Sequence, residues 1–262
     1  MVDRPASPSD FVSIRQDGSP AVALPMDTLL EVAKRLKIQL SQDQLQSFEI
    51  YYERLVSERT SAGLTALTDR ESIERRHFGE SLALLCALES FEPIRSPAID
   101  IGSGAGFPGL PMKIARPNLS LTLLEANGKK ADFLRRLVES LNLSEVSVVT
   151  ARAEEAGRDQ AYRGRFGLAL ARALAPLRVL VELSLPFLGV GGLLATPKGG
   201  AAMREIKEAA SALAACGGEI AHVEPLKLPW LGPTPTLVLV RKNGETPDRY
   251  PRRAGIPSRR PL

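Results

Sequence analysis

The chain is predicted to be an α/β protein. It would be built on a doubly wound, Rossmann-like sheet of seven strands with an antiparallel terminal pair, plus an N-terminal helical extension. Three observations predict this. After Pro97, short and nearly continuous apolar runs alternate with helical segments, which is the texture of buried parallel strands joined by crossover helices. The last two apolar runs have only a loop between them, so they should pair antiparallel. Before residue 97 the apolar residues recur only at helical spacing.

In chain order, residues 1–25 come first, and the first twenty of them are polar and rich in turn formers, with two prolines ahead of any apolar run. They read as a loose leader rather than a signal peptide. Residues 26–96 form the helical region. Met26 to Lys37 presents Leu29, Leu30, Val32, Ala33 and Leu36, and Gln42 to Leu55 presents Leu45, Phe48, Tyr52 and Leu55 behind a capping Ser41. A third helix, roughly Arg70 to Ser90, places His77, Phe78, Leu82, Leu85 and Cys86 on one broad face. An imidazole in such a face reads as a hydrogen-bonded anchor between helix and sheet.

Residues 97–243 form the sheet domain, with strands at 98–101, 121–124, 146–150, 168–171, 193–196, 220–223 and 236–241. The intervening helices fall at 110–115, 128–141, 177–188 and 201–216. Asn127 caps the one at 128–141. The apolar stretch from Val179 to Thr196 has the length of a membrane span, but Glu182, Pro186 and three glycines break it into helix, turn and strand.

Composition bounds the function classes. A hydrophobic share of 44% is globular, and an aromatic share of 5% argues against a base-stacking platform. Cys86 and Cys216 lack the spacing of a metal site or a disulfide framework, which fits a reducing cytosol. The formal charge of +4 is concentrated at the end, where seven basic residues stand against two acids from Arg241 to Leu262. The tail, 244–262, is punctuated by prolines. It can follow a phosphate backbone in extended form or simply aid solubility.

The chemistry is concentrated in Asp100-Ile101-Gly102-Ser103-Gly104-Ala105-Gly106. An acid at a strand end running into alternating glycines suits an adenosine-containing cofactor, because the backbone passes under a bulky ligand with no Cβ in the way. Gly104, Gly106 and Gly109 also satisfy the dinucleotide fingerprint, and Glu125, at the end of the second strand, would hold ribose hydroxyls in either case. Leu110-Pro111 excludes a phosphate-binding P-loop. The acid favours a cationic sulfonium cofactor over a pyrophosphate. The antiparallel terminal pair leans the same way, being the layout of class I methyltransferases.

The run from Asp100 to Pro111, continuing through Arg116-Pro117, resembles the RsmG (GidB) family, the bacterial 16S rRNA guanine-N7 methyltransferases. In order, Leu123-Leu124-Glu125, Gly128-Lys129-Lys130, Phe133-Leu134, Arg152-Ala153-Glu154-Glu155, Ala171-Arg172-Ala173, Lys198-Gly199 and Tyr250 to Pro257 are similar to its motifs. The resemblance implies S-adenosylmethionine as cofactor. Gly102 and Phe107 would line its pocket, Glu125 would hold its ribose, Ala153 and Glu154 would flank the adenine, and Arg172 would close the site. It implies 16S rRNA or the 30S subunit as partner; the sequence itself points to a cytoplasmic location without membrane attachment, and with no exposed apolar seam a monomer is expected. The chain departs from the family pattern in the helical region, where an expected His-x-x-Asp-Ser is His77-Phe78-Gly79-Glu80-Ser81.

Methylation of a ring nitrogen needs no base. After the fourth strand, where amino-methylating enzymes place an acceptor, this chain has Arg172, which cannot accept a hydrogen bond. Arg172 is therefore the candidate catalytic group, as a donor that fixes the target base. Arg163, Arg165, Lys198, Arg252 and Arg253 are candidate phosphate contacts. Two other readings remain: an NAD(P)-dependent oxidoreductase, and an RNA-binding protein of the same fold without transfer activity.

Overall fold

A computed structural model describes residues 26–262 apart from 231 and 233. The leader expected over 1–25 lies outside the described residues. Four helical segments come first: α1 (Asp27–Leu36), α2 (Gln42–Ala62), α3 (Arg70–Ile73) and, after a π-helical turn at Glu74–Gly79, α4 (Glu80–Phe91). The sheet domain follows as β1 (Ala98–Ile101), α5 (Gly109–Ala115), β2 (Leu121–Glu125), α6 (Gly128–Ser140), β3 (Val146–Thr150), α7 (Ala153–Ala156) and β4 (Phe166–Leu170). It continues through α8 (Leu177–Ser184), β5 (Leu188–Lys198), α9 (Ala202–Glu208), α10 (Ala210–Cys216), β6 (Gly218–Pro225), β7 (Thr236–Lys242) and α11 (Ile256–Arg259).

The seven strands lie in the order β3-β2-β1-β4-β5-β7-β6. The first five are parallel, and β7 runs antiparallel to both of its neighbours. The predicted sheet and its antiparallel terminal pair are therefore present. The order reverses at β1, beside β4, and ligands of open α/β sheets bind at the carboxyl ends of the strands at such a switch point. Alternating side chains serve two cores. Ala98, Leu168 and Leu170 join one with α2, α4, α5 and α6, while Ile99, Ile101, Ala169 and Ala171 join the other with α8 and α10. Central strand β1 is buried throughout, whereas the edge strands β3 and β6 are largely half-exposed.

Several boundaries differ from expectation, each for a local reason. Helix α2 runs past Leu55 to Ala62 and stops where Gly63 takes a φ of 62°, which an L residue adopts only with strain. The single helix expected over 70–90 is interrupted by the π-helical turn. Within that turn Glu74 is buried and accepts the Leu29 N–H at 2.8 Å, satisfying an otherwise orphaned donor at the start of α1. The helix expected over 201–216 divides at Ala209, and the glycines at 189, 191 and 192 extend β5 rather than precede it. The short helices α7 and α11 were not anticipated.

The tail is folded, not extended. Tyr250 and Pro251 are buried against the sheet domain, and Thr246 donates to the Cys216 carbonyl at 2.7 Å. The N-terminal helices are tied to the glycine turn by Tyr51, whose hydroxyl donates to the Ala105 carbonyl at 2.6 Å.

Candidate active site

β1 and β2 both end under the glycine turn. Gly102 N–H donates to the Leu124 carbonyl at 2.8 Å, which holds the turn against the end of β2. The Glu125 carboxylate then accepts from Gly104 N–H at 2.9 Å and from Asn127 N–H at 2.7 Å. One acid thereby fixes the turn and the start of α6, and each of its oxygens keeps a free lone pair. Gly104 has a φ of 60°, and a Cβ added there would meet nothing nearer than the Gly102 carbonyl at 3.9 Å. The backbone therefore lies bare beneath open space.

That space is a cavity of about 440 Å³ at the carboxyl ends of β1, β2 and β4. Of the residues singled out in the sequence, Gly102, Gly104, Glu125, Ala153, Glu154 and Arg172 line it. Asp100, Gly106 and Phe107 do not, because they lie one layer deeper. Gly106 packs so tightly that a Cβ would come within 2.6 Å of both Leu110 Cδ1 and the Tyr51 hydroxyl. Phe107 is a floor for other side chains, stacking on Tyr51 and on His77.

Asp100 is wholly buried. Its Oδ2 accepts from Gly109 N–H at 2.9 Å, while Oδ1 has no hydrogen-bond partner. Burial pushes its carboxyl up to about 7, against the pull of the Gly109 bond and the Arg172 charge. Asp100 is thus separated from the cavity by the glycine turn.

A second cavity of about 460 Å³ adjoins the first, and residues 172–175 line both. Arg172 follows β4 and is held on several sides. Its guanidinium donates to the Arg76 carbonyl and to His77 Nδ1, each at 3.1 Å, and pairs with Glu80 at 3.6 Å. It also lies 5.1 Å above the centre of the Phe107 ring. His77 is an anchor that joins the helical region to the strand end. Glu80 also lines the second cavity, and the sequence marks it only as the acid of the departing His77-Phe78-Gly79-Glu80-Ser81 run. Its i,i+3 spacing from His77 was the available signal. Leu174, 39% exposed, lies over Gly102 between the two cavities.

Three of the five candidate phosphate contacts are committed inside the protein. Lys198 Nζ donates to the Ala175 carbonyl at 2.6 Å and pairs with Glu205 at 3.0 Å, which braces the loop that carries Arg172. Arg163 donates to the carbonyls of Gly157, Tyr250 and Thr246. Arg252 is bound to buried Glu182. The charged ends of these three side chains are turned to acceptors inside the protein, which leaves fewer donors for a phosphate. Arg253 is exposed, and Arg165 is also on the surface, donating to the Gln160 carbonyl at 3.3 Å.

Among the described residues no group of acids, histidines or cysteines could hold a metal ion, and no helix is long and apolar enough to cross a membrane. A further cavity of about 530 Å³ near Trp230 is lined by Cys86, and burial raises that thiol's pKa. The chemistry therefore centres on the glycine turn.

A seven-stranded sheet with β7 antiparallel, carrying this turn after β1, defines a class I methyltransferase. The chain shares its fold with a cofactor-bound protein from MTB (14% identity, TM-score 0.56, covering 85% of this chain and 99% of that one). It also superposes on an O-methyltransferase from Klebsiella pneumoniae (14% identity, TM-score 0.54, covering 82% and 96%). Within that class the chain belongs to the GidB family, rRNA small subunit methyltransferase G, whose model matches residues 44–229. It is 45% identical over 237 residues to ribosomal RNA small subunit methyltransferase G of Roseiflexus castenholzii, covering 90% of this chain and 100% of that relative. The relative of the same name from Leuconostoc citreum is 41% identical over 225 residues, covering 86% and 94%.

Proposed function

We propose that this rRNA methyltransferase moves the methyl group of S-adenosylmethionine to N7 of a guanine in 16S rRNA, presented free or within the small subunit. The residues present fit that cofactor. Glu125 retains lone pairs for two ribose hydroxyls, the bare turn at Gly104 admits a bulky ligand, and a cationic ligand above the turn would favour the charged form of buried Asp100 beneath it. When bound, the cofactor supplies an electrophilic methyl on a cationic sulfur.

The observation that carries the N7 assignment is the placement of Arg172, between the two cavities and at the end of β4. A guanine in the second cavity would present O6 and N7 on one edge. Arg172 donates to O6, and N7 attacks with its ring lone pair, so no proton has to leave. Glu80 can accept from the N1–H and N2–H₂ edge, which selects guanine over adenine. The contribution of the protein is alignment of nucleophile and methyl at about 3–3.5 Å, with no base required.

The test uses 16S rRNA from cells lacking this protein, as naked RNA and as 30S subunits, with labelled cofactor. Label at one guanine, together with chain cleavage there by borohydride and aniline, which act at 7-methylguanine, is the expected result. Label on the exocyclic amino group would move the reading to N2. Cofactor binding and RNA binding without transfer would support the inactive alternative, and stabilisation by NAD(H) in place of S-adenosylhomocysteine would support the oxidoreductase.

A further inference from the structure

We propose that the C-terminal segment, residues 250–259, is a wall of the cofactor pocket, with Ser258 the residue of the tail that touches the cofactor and Arg252 the positioning residue that holds the segment. The proposal rests on reading the cavity at the glycine turn as the S-adenosylmethionine site.

The anchor is a buried acid. Glu182 on α8 has no exposed surface and accepts three bonds from one tail residue: Arg252 N–H at 2.8 Å, Nε at 2.8 Å and Nη2 at 2.6 Å. A carboxylate in that position needs its partner, since burying it alone is strongly unfavourable. Arg252 is therefore fixed, and the chain on either side with it.

From that anchor the tail grips α7, the element that follows β3 at the adenine end of the cavity. Gly255 N–H donates to Glu154 Oε1 at 2.8 Å. Pro251 packs on Gly157, where an added Cβ would lie 3.1 Å from its Cγ. From the other side Arg158 donates to the Pro251 carbonyl at 2.7 Å and Arg163 to the Tyr250 carbonyl at 2.8 Å. α7 spans four residues, too few to hold a helical conformation unaided. Its geometry, and with it the Ala153–Glu154 wall, depends on this clasp. One turn beyond Gly255, Ser258 on α11 lines the same cavity as Ala153, Glu154 and Glu125. Its hydroxyl can donate and accept. Four tail arginines, Arg249, Arg253, Arg259 and Arg260, remain exposed on the outside.

Calorimetric binding of S-adenosylhomocysteine to the full chain, without RNA, tests the assignment. Ser258→Trp places a bulky ring at the wall from an exposed position and should weaken binding at least tenfold with an unchanged Tm. Arg252→Met should weaken it similarly, with Arg252→Lys in between, while Arg260→Ala should bind as the parent does. Saturating S-adenosylhomocysteine should also slow tryptic cleavage within residues 249–260, because a ligand that touches the segment stabilises its docked state. If Arg252→Met does not fold, Ser258→Trp and the protection measurement still decide. Parent-like affinity of Ser258→Trp, with cleavage indifferent to ligand, overturns the tail assignment. Absence of binding by the parent itself overturns the reading of the cavity instead.

Discussion

Arg172 Nη2 donates to His77 Nδ1 across 3.1 Å, joining two residues 95 positions apart in the chain. Because a guanidinium only donates, Nδ1 must accept, so the imidazole proton sits on Nε2 and is donated to Thr65 Oγ1 at 2.8 Å. The ring is stacked on Phe107 with 4.5 Å between centroids. Both the tautomer and the ring plane are therefore fixed before any substrate arrives.

Removing this partner should loosen Arg172 without emptying the cofactor pocket. A hydrogen bond to a charged group is worth about 1.5–3 kcal/mol, so His77→Ala should lower kcat/KM for rRNA by about 10- to 100-fold. His77→Asn, which can still offer an acceptor near Nδ1, should recover part of the loss. Affinity for S-adenosylhomocysteine should change much less. Single-turnover methylation beside calorimetry checks this, and parent-like kinetics for His77→Ala would remove the positioning role.

The same imidazole gives stability a pH dependence opposed by Asp100. Burial, with the nearby Arg172 and Arg76 charges, lowers His77 from its ordinary 6.5 to about 3. The unfolded chain then binds the extra proton between those values, so stability falls as pH drops from 6.5 toward 3. Asp100 is raised from 3.8 to about 7. Its contribution is fully present below 3.8 and is lost as pH rises through 7. Each slope is at most about 1.4 kcal/mol per pH unit, and between roughly pH 4 and 6.5 they offset. Urea unfolding at intervals from pH 4.5 to 7.5 should show stability falling with acid in Asp100→Asn and rising with acid in His77→Asn. Parallel profiles for the two variants would contradict the assignment.

Gly104 and Gly106 share a positive φ but predict different failures. At Gly106, with φ of 100°, a methyl would strike Leu110 and the Tyr51 hydroxyl that ties the helical region to the turn. Gly106→Ala should therefore destabilise the fold by about 2 kcal/mol or more, through strain and a displaced buried hydrogen bond. At Gly104 the methyl meets open space, so Gly104→Ala should lose only about 1 kcal/mol of stability. Its methyl would instead occupy the ligand's volume and weaken S-adenosylhomocysteine binding by tenfold or more. Chemical denaturation and calorimetry on the same two proteins separate the effects, and equal losses of stability would defeat the distinction.

How far the sequence discloses this site follows from the range of the interactions. The strand-turn-helix run from Ala98 to Pro111 and the acid Glu125 are legible because strand burial, glycine conformation and the acid's spacing are local properties. The antiparallel end of the sheet is legible because a loop without a helix cannot return a strand in parallel. The bond between His77 and Arg172 is not legible, since periodicity places His77 on an apolar face without naming what meets it. The tail misleads for a related reason. Its charge suggests an arm for phosphate, and only the three-dimensional arrangement shows that Arg252 is paired with Glu182 and that Arg163 is hydrogen-bonded to backbone carbonyls.

Arg172 itself should separate charge from geometry. Its planar fork meets Arg76, His77 and Glu80 on one side, and it lines both cavities on the other. A lysine keeps the charge but offers one nitrogen in place of the fork, so it cannot hold those partners and a guanine O6 together. Arg172→Lys should therefore lose nearly as much activity as Arg172→Ala, each about 100-fold in kcat/KM, corresponding to roughly 2.7 kcal/mol. Asp100, whose charge Arg172 favours, should rise further in pKa in Arg172→Ala but not in Arg172→Lys. Carboxyl titration followed by NMR reads the charge, and methylation kinetics read the geometry. Full activity in Arg172→Lys would show that a positive charge alone suffices at the end of β4.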